Sequence, residues 1–424
     1  MGEVNVDDLK AGMLLASDLK DAKGRFLLGR GVPIEDKHIR IMKIWGITAA
    51  DISGVNREDI STEIMNRFDP QLWEIVKSAV DNMLCNSIRD FDALQELKRV
   101  CILRAAEKLS TTPGQKPLHA NNDELTNGGV SEPLWETQPK ERISSLDDLV
   151  DKNVQLSSFP DIYYQIQNVM NDTHSSATHL ANVVSKDPGL SATLLKLVNS
   201  AFFGLPTKLD SITRAIALIG GRELSALAMG ISVIRFFRDI PPTLIDMKNF
   251  WLHSVACGIF SRILANHKRE FQEELFFIGG LLHDIGRLIM FSEYPKTSAY
   301  IIALADKRHS PLYVTEREVL GYDHTQVTGK LLEKWNFPKN LENMIRNHHA
   351  PTRAKNPPEA SIILIADIIA SALGYGFSGS RYVPAFEKEV WNILGLSPSV
   401  LAPSIKQADR QITETLQVFN MDGD

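Results

Sequence analysis

The sequence predicts a mainly α-helical protein with a small α+β module at its N-terminus. Three observations carry that expectation. From about residue 143 to 420, apolar residues recur at helical spacing, with no alternation long enough for a sheet. Residues 1 to 55 instead hold short apolar runs split by turn formers. Between these regions, residues 111 to 142 lose periodicity altogether.

A chain of 424 residues is long for one core, so two or three domains are expected. An apolar fraction of 44% with 23% charged residues is that of an ordinary globular protein. The net charge of −6 argues against general nucleic-acid binding, which needs a basic excess. Cys85, Cys101 and Cys257 are scattered and form no CxxC pair, which reads as reduced thiols in a cytoplasmic protein. Met1-Gly2-Glu3-Val4 carries no basic and apolar leader pattern, and no apolar run approaches the roughly 20 residues of a membrane span. A soluble, cytoplasmic protein with no membrane contact is expected.

In the N-terminal module (1–55), Val4-Asn5-Val6 and Met13-Leu14-Leu15-Ala16 are strand-like runs. Lys23-Gly24 suggests a hairpin turn ahead of Phe26-Leu27-Leu28. A helix follows from Ile34 to Trp45, with Ile41, Ile44 and Trp45 on one face and Gly46 as its stop. Ile47 to Ile52 can return as a strand. Residues 56–110 read as a helical connector. Asp69-Pro70 opens one helix with Trp73, Val76, Val80 and Met83 in phase, and Leu94, Leu97, Cys101 and Ala105 mark a second. This hairpin is expected to link domains or to hold a homodimer together. Residues 111–142 hold Thr112-Pro113-Gly114, Asn121-Asn122-Asp123 and Asn127-Gly128-Gly129, the texture of a flexible linker with a lone Trp135.

Residues 143–420 are helix after helix. Asp187-Pro188 supplies an N-cap and a proline at the first helical position, followed by the stripe Leu190, Leu194, Leu195 and Val198. Ser211 opens the next helix, with Ile212, Ala215, Ile216 and Ile219 apolar and Gly220-Gly221 as its end. Asp187, Asn199 and Ser200 read as caps and helix-end hydrogen bonders rather than ligands.

The chemistry concentrates further on. Gly279-Gly280-Leu281-Leu282-His283-Asp284-Ile285-Gly286-Arg287 sets an imidazole beside a carboxylate inside an apolar run. Such a pair is costly to bury unless each group finds a partner, and a metal ion is a natural one. His253 precedes this tract; His324, the doublet His348-His349 and Asp367 follow it in apolar or helical settings. Taken singly, each histidine is an ordinary core or surface residue, and one of the doublet is expected at the surface. His267 and His309, in charged surroundings, read as plain surface residues.

Several segments together resemble the HDOD family, a helical signalling domain related to the HD metal-dependent phosphohydrolases. They are Lys186-Asp187-Pro188-Gly189-Leu190, Leu194 through Gly204, Ser211 through Gly220, Trp251-Leu252-His253-Ser254, Gly279 through Gly286, and His324 with Trp335 and Pro338. The match spans roughly 145 to 390, with 143–240 as a family-specific half and 241–390 as an HD-like half. The resemblance implies a bacterial regulatory module that presents an output or scaffold surface to protein partners in signalling, usually without catalysis.

It also implies a ligand set. His253, His283, Asp284 and Asp367 match the basic H…HD…D pattern, and His324 with His348 or His349 match the added ligands of two-metal members. One or two divalent transition-metal ions would be the cofactor, and Asp284 the bridging, catalytic carboxylate of a phosphohydrolase. Arg287 lies one turn after His283 and could hold the phosphate of a nucleotide or other phosphoester ligand, or else form a surface salt bridge. HD-GYP phosphodiesterases, which cleave cyclic di-GMP, carry a glutamate and a Gly-Tyr-Pro tract soon after the doublet. Here His348-His349 runs into Ala350-Pro351-Thr352-Arg353, and the next Gly-Tyr pair, Gly374-Tyr375, lies beyond Asp367. Cyclic di-GMP cleavage is not expected.

Overall fold

The computed structural model describes residues 2–6, 9–20, 26–44, 47, 49–53, 68–87, 90–111, 136, 138–156, 161–172, 175–200, 202–205, 207–237, 244–268, 270–271 and 273–419. The turn at Lys23-Gly24, the helix stop at Trp45-Gly46, Trp135 and nearly all of the expected linker lie outside the described residues. The chain forms two compact units. One comprises 1–81, 91–117 and 397–403; the other comprises 82–90, 118–396 and 404–424. The fold is mainly α, with strands only near the N-terminus among the described residues.

In the first unit, the N-terminal elements are β1 (Gly2–Asn5), β2 (Leu19–Lys20), β3 (Phe26–Leu28), α1 (Asp36–Ile44) and β4 (Ala49–Ile52). β1 pairs antiparallel with β4, with Gly2 opposite Ile52 and Val4 opposite Ala50, and β2 pairs antiparallel with β3. Val4, Leu15, Ile34, Met42 and Ile52 form the centre of a small apolar core. Met42 enters that core from α1 with Ile39 at its edge, whereas Ile41, expected on the inner face, is only half-buried. Two helices follow, α2 (Pro70–Met83) and α3 (Asp92–Thr111). Asp69 caps α2 by accepting the Gln71 and Leu72 amides at 2.9 and 3.0 Å. α3 buries Leu94, Leu97, Cys101 and Ala105.

The second unit begins with α4 (Leu146–Leu156), α5 (Asp161–Asn171), α6 (Ala177–Ser185), α7 (Pro188–Val198), α8 (Ile212–Ile219) and α9 (Gly221–Phe236). Asp187 caps α7 through the Leu190 amide at 2.8 Å, with Pro188 at the first position. Its buried stripe is Leu190, Leu194, Leu197 and Val198. The i, i+4, i+7, i+8 phase selects Leu197, which leaves Leu195 at the flank. Asn199 clamps Leu209, donating to its carbonyl at 2.8 Å and accepting its amide at 2.7 Å.

The helices that follow carry the candidate site. They are α10 (Met247–Asn266), α11 (Glu273–Leu282), α12 (Ile285–Glu293), α13 (Pro295–Arg308), α14 (Leu312–Leu320), α15 (His324–Lys334), α16 (Lys339–Arg346), α17 (Pro357–Ala372), α18 (Lys388–Leu394) and α19 (Leu401–Val418). α10 and α17 are apolar nearly all round and buried, as befits the centre of a helical domain. α10 and α11 approach closely because Gly258 and Gly280 face each other's backbone. A Cβ on Gly280 would lie 2.6 Å from the Cys257 carbonyl and the Gly258 Cα.

The stretch Glu273–Glu293, spanning α11 and α12, is by length and composition apolar enough to cross a membrane. That differs from the sequence expectation that no run approaches this length. Most of it is buried inside the fold, and it carries His283, Asp284 and Arg287, which marks it as a core segment.

Candidate metal centre

The HD tract is not one continuous helix. α11 ends at Leu282, His283 and Asp284 form a turn, and Asp284 stands at the N-cap position of α12. The turn keeps both side chains inside the domain. His283 Nδ1 meets the Gly280 carbonyl at 2.7 Å, so that nitrogen carries the proton and Nε2 points onward. The turn is locked against α15 by Thr328, whose hydroxyl accepts the Gly286 amide at 2.9 Å and donates to the His324 carbonyl at 2.8 Å.

Around Asp284 the sequence-predicted residues converge. His324 Nε2 lies 3.0 Å from its Oδ1, and His283 Nε2 and His253 Nε2 lie 3.3 and 3.8 Å from its Oδ2. Asp367, from α17, sits with Oδ1 3.2 Å from His253 Nε2 and 3.9 Å from His283 Nε2. His348 follows α16, and its Nδ1 is fixed by the Ile345 carbonyl at 2.8 Å. The donor atoms of His283, His348 and Asp367 fall within 4.8 Å of one another, as do those of His324, His348 and His349. His348 is fully buried and His349 half-buried. Both ring nitrogens of His349 are nonetheless enclosed, and its ring stacks on Tyr313 at 4.0 Å.

The inner atoms lack hydrogen-bond partners. Nε2 of His253, His283, His324 and His348, both ring nitrogens of His349, and Oδ1 of Asp284 are buried and unsatisfied. Orphaned groups at such density are costly, and one explanation covers them all. Donors that each sit ~2.0–2.2 Å from a common ion lie roughly 3.0–3.6 Å apart. The close spacings around Asp284 and Asp367 fall near that range, and imidazole with carboxylate is a donor set suited to transition metals. The residues present fit a metal ion.

Electrostatics agree with a site built around cations. Burial opposes ionisation of Asp284, yet Arg287, His283 and His324 hold it well below the usual carboxylate range. Burial also opposes Asp367, but the close approach of His253 and the neighbouring His283 draw it down to about 2. His348 is pushed down to about 3 by burial and by the neighbouring His283 and His324. It is therefore neutral at pH 7, the form in which imidazole binds a metal.

Arg287 differs from its expected role. It is buried, and its guanidinium is engaged by Asp284 at 2.5 Å, Glu316 at 3.2 Å and the Ser378 hydroxyl at 2.7 Å. Neither a surface salt bridge nor a phosphate grip describes it. Because α12 starts at Ile285, Arg287 stands three residues from Asp284 at the N-cap position and turns back onto it.

Sequence reasoning missed Glu316, Ser378 and the Tyr313–Arg317 pair. Glu316 accepts from His324 Nδ1 at 2.6 Å and from the His324 backbone amide at 3.0 Å. Its signal was present, since it lies in phase with Leu312 and Leu320 on the buried stripe of α14. Ser378 had none: it reaches Arg287 only because Gly376, at φ +68°, lets the loop pass against the α10 backbone at Asn249 and His253.

A cavity of about 320 Å³ adjoins the cluster at His349. Tyr313, Arg317, Arg353, Leu364, Glu387 and Val390 are among its lining residues. Arg317 is tied to Asp323 at 2.5 Å, whereas no ion pair of Arg353 is seen among the described residues.

In this helical domain the HD turn gathers histidines and an aspartate from four further segments. Residues 156–351 match the family model of the HDOD domain, and the chain carries an HDOD domain. A sequence relative is an uncharacterised protein of Treponema pallidum (strain Nichols), 28% identical over 217 residues, which is 50% of this chain and 41% of that protein. The chain thus spans less than half the length of that relative.

Solved structures share the fold. A candidate phosphohydrolase of Shewanella amazonensis SB2B aligns at a TM-score of 0.53 and 24% identity, covering 66% of this chain and 99% of that one. An HDOD domain protein of unknown function from Geobacter sulfurreducens gives 0.52 and 18%, covering 64% and 97%. A candidate signal-transduction protein of Marinobacter aquaeolei VT8 gives 0.51 and 20%, covering 72% and 66%.

Proposed function

We propose that this chain is a cytoplasmic bacterial signal-transduction protein whose HDOD domain holds one or two divalent transition-metal ions and passes its state to protein partners. The observation that carries the reading is the set of orphaned nitrogens of His253, His283, His324 and His348 around Asp284 and Asp367. These residues would hold the metal, with Asp284 the carboxylate shared by the most histidines. Glu316 and the carbonyls of Gly280 and Ile345 orient the imidazoles from behind, which fixes each tautomer.

Total metal analysis of protein purified without chelator tests this. A stoichiometric transition metal in the wild type, lost in His348→Ala at unchanged helicity, is the expected result. Metal-free wild type that gains none on incubation with zinc, manganese or iron(II) would defeat it.

A second reading, a metal-dependent phosphohydrolase acting on a phosphoester or nucleotide, is favoured by the arginine-bearing cavity at His349. A bound metal would supply a polarised phosphoryl oxygen and a nucleophilic water. Arg353 would hold the phosphate and Tyr313 would keep His349 in place. A panel of phosphomonoesters and phosphodiesters, assayed with the metal-loaded protein, separates this reading from a purely regulatory one.

A further inference from the structure

A second cavity, about 440 Å³, lies in the HDOD domain away from the histidine cluster. Its wall is built from the first turns of three helices: Arg222, Glu223 and Ser225 of α9, Glu274 and Leu275 of α11, and Asn340 of α16.

Its chemistry has three parts. The first is positive. Helix N-termini carry unsatisfied amides and a partial positive charge, and Arg222 adds a full one for which no ion pair is seen among the described residues. The second is negative. Glu223 and Glu274 share the cavity, and no ion pair is seen for either among the described residues. Burial pushes the Glu274 carboxyl up, and Glu273 and Glu223 add to that against an opposing pull from Arg262. The third part is a floor of Ala226, Met229, Leu275 and Pro338.

One detail marks this as a built site rather than a surface dent. Ser225 is 1% exposed, and its hydroxyl has no hydrogen-bond partner. Asn336, at φ +53°, is the left-handed residue that ends α15 and turns the chain along this cavity. Gln167 braces this corner by donating to the Trp335 and Asn336 carbonyls at 2.7 and 2.9 Å.

We infer that this cavity is a binding site for a small zwitterion of the α-amino-acid class with an apolar side chain. Its carboxylate meets Arg222 and the helix N-termini, its ammonium meets Glu274 and Glu223, and its side chain lies on Met229 and Leu275. Neither a simple anion nor a simple amine uses all three parts. The location suits a sensory input, because Glu274 and Leu275 begin the helix whose far end leads into His283 and Asp284.

The experiment is calorimetric titration and thermal melting of the full chain with L-leucine and L-methionine. Isoamylamine and 4-methylpentanoate, each bearing only one of the two charges, serve as controls. Saturable binding of at least one amino acid is expected, with each control weaker by roughly tenfold or more. Glu274→Gln and Arg222→Gln, both at half-buried or exposed positions, should weaken the amino acid by roughly tenfold each at unchanged melting temperature without ligand. Absence of saturable binding by either amino acid at millimolar concentration would overturn the inference. So would binding that both substitutions leave unchanged, or controls that bind as tightly as the zwitterion.

Discussion

The carboxylate of Glu316 grips His324 twice, at Nδ1 across 2.6 Å and at the backbone amide across 3.0 Å. This fixes the tautomer so that Nε2 faces Asp284. Glu316 also neutralises Arg287 and, despite burial, is held down to about 2 by His324 and Arg287. It is a positioning residue with two clients. Glu316→Gln should keep the shape, lose the charge, and weaken metal affinity about 10–100-fold, the usual cost of removing an outer partner. Glu316→Ala should in addition destabilise the domain by about 3 kcal/mol, because Arg287 is left buried with one carboxylate fewer. Competition against a chromophoric chelator reads the first effect and denaturant melts read the second.

Asp284→Asn tests what the centre is for. The carboxylate is ringed by His253, His283, His324 and Arg287, so its neutralisation removes the charge that gathers them. Metal content should fall to background. If the protein is a regulatory scaffold, its pull-down of signalling partners should persist in the folded variant; if it is a hydrolase, any phosphoester turnover of the wild type should vanish. Turnover retained by Asp284→Asn would show that this cluster is not the catalytic site.

Packing gives an independent prediction. Gly280 lies against the Cys257 carbonyl and the Gly258 Cα, so a methyl group there meets backbone at 2.6 Å, which no rotamer change relieves. Gly280→Ala should force α10 and α11 apart and cost about 2–3 kcal/mol. The same movement displaces the Gly280 carbonyl that orients His283, so metal affinity should drop with stability. A variant as stable as the wild type and fully metal-loaded would contradict the close packing.

What could be read from the sequence followed from periodicity and caps. Asp187-Pro188 and Ser211 are caps as expected, because an N-cap is a local hydrogen bond that four residues determine. The mainly helical class and the HDOD domain were legible for the same reason of pattern and order. The break between α11 and α12 was not, since Glu273–Glu293 as a whole is apolar and no proline interrupts it. Hence the sequence sets Arg287 one turn after His283, whereas in the fold it turns back on Asp284. Contacts across long separations, such as Ser378 with Arg287, leave no local trace.

The final prediction concerns pH. In metal-free protein, burial and Arg287 both disfavour a charged His324, but Glu316 and Asp284 outweigh them and raise it to about 8. A histidine raised above its ordinary 6.5 contributes stability that is complete below 6.5 and lost as pH climbs through 8. His348 works in the opposite direction. Lowered to about 3, it stays neutral in the fold while the unfolded chain takes up its proton, so stability falls as pH drops from 6.5 toward 3. The metal-free protein should therefore melt at its highest temperature near pH 6.5 and lower on both sides. Metal ligation needs neutral imidazoles, so bound metal should recover stability on the alkaline side and lose its hold on the acid side. Melting curves at a series of pH values, with chelator and then with added metal, check both limbs. A metal-free melting temperature that rises steadily from pH 6.5 to 9 would show that His324 is not held charged by Glu316 and Asp284.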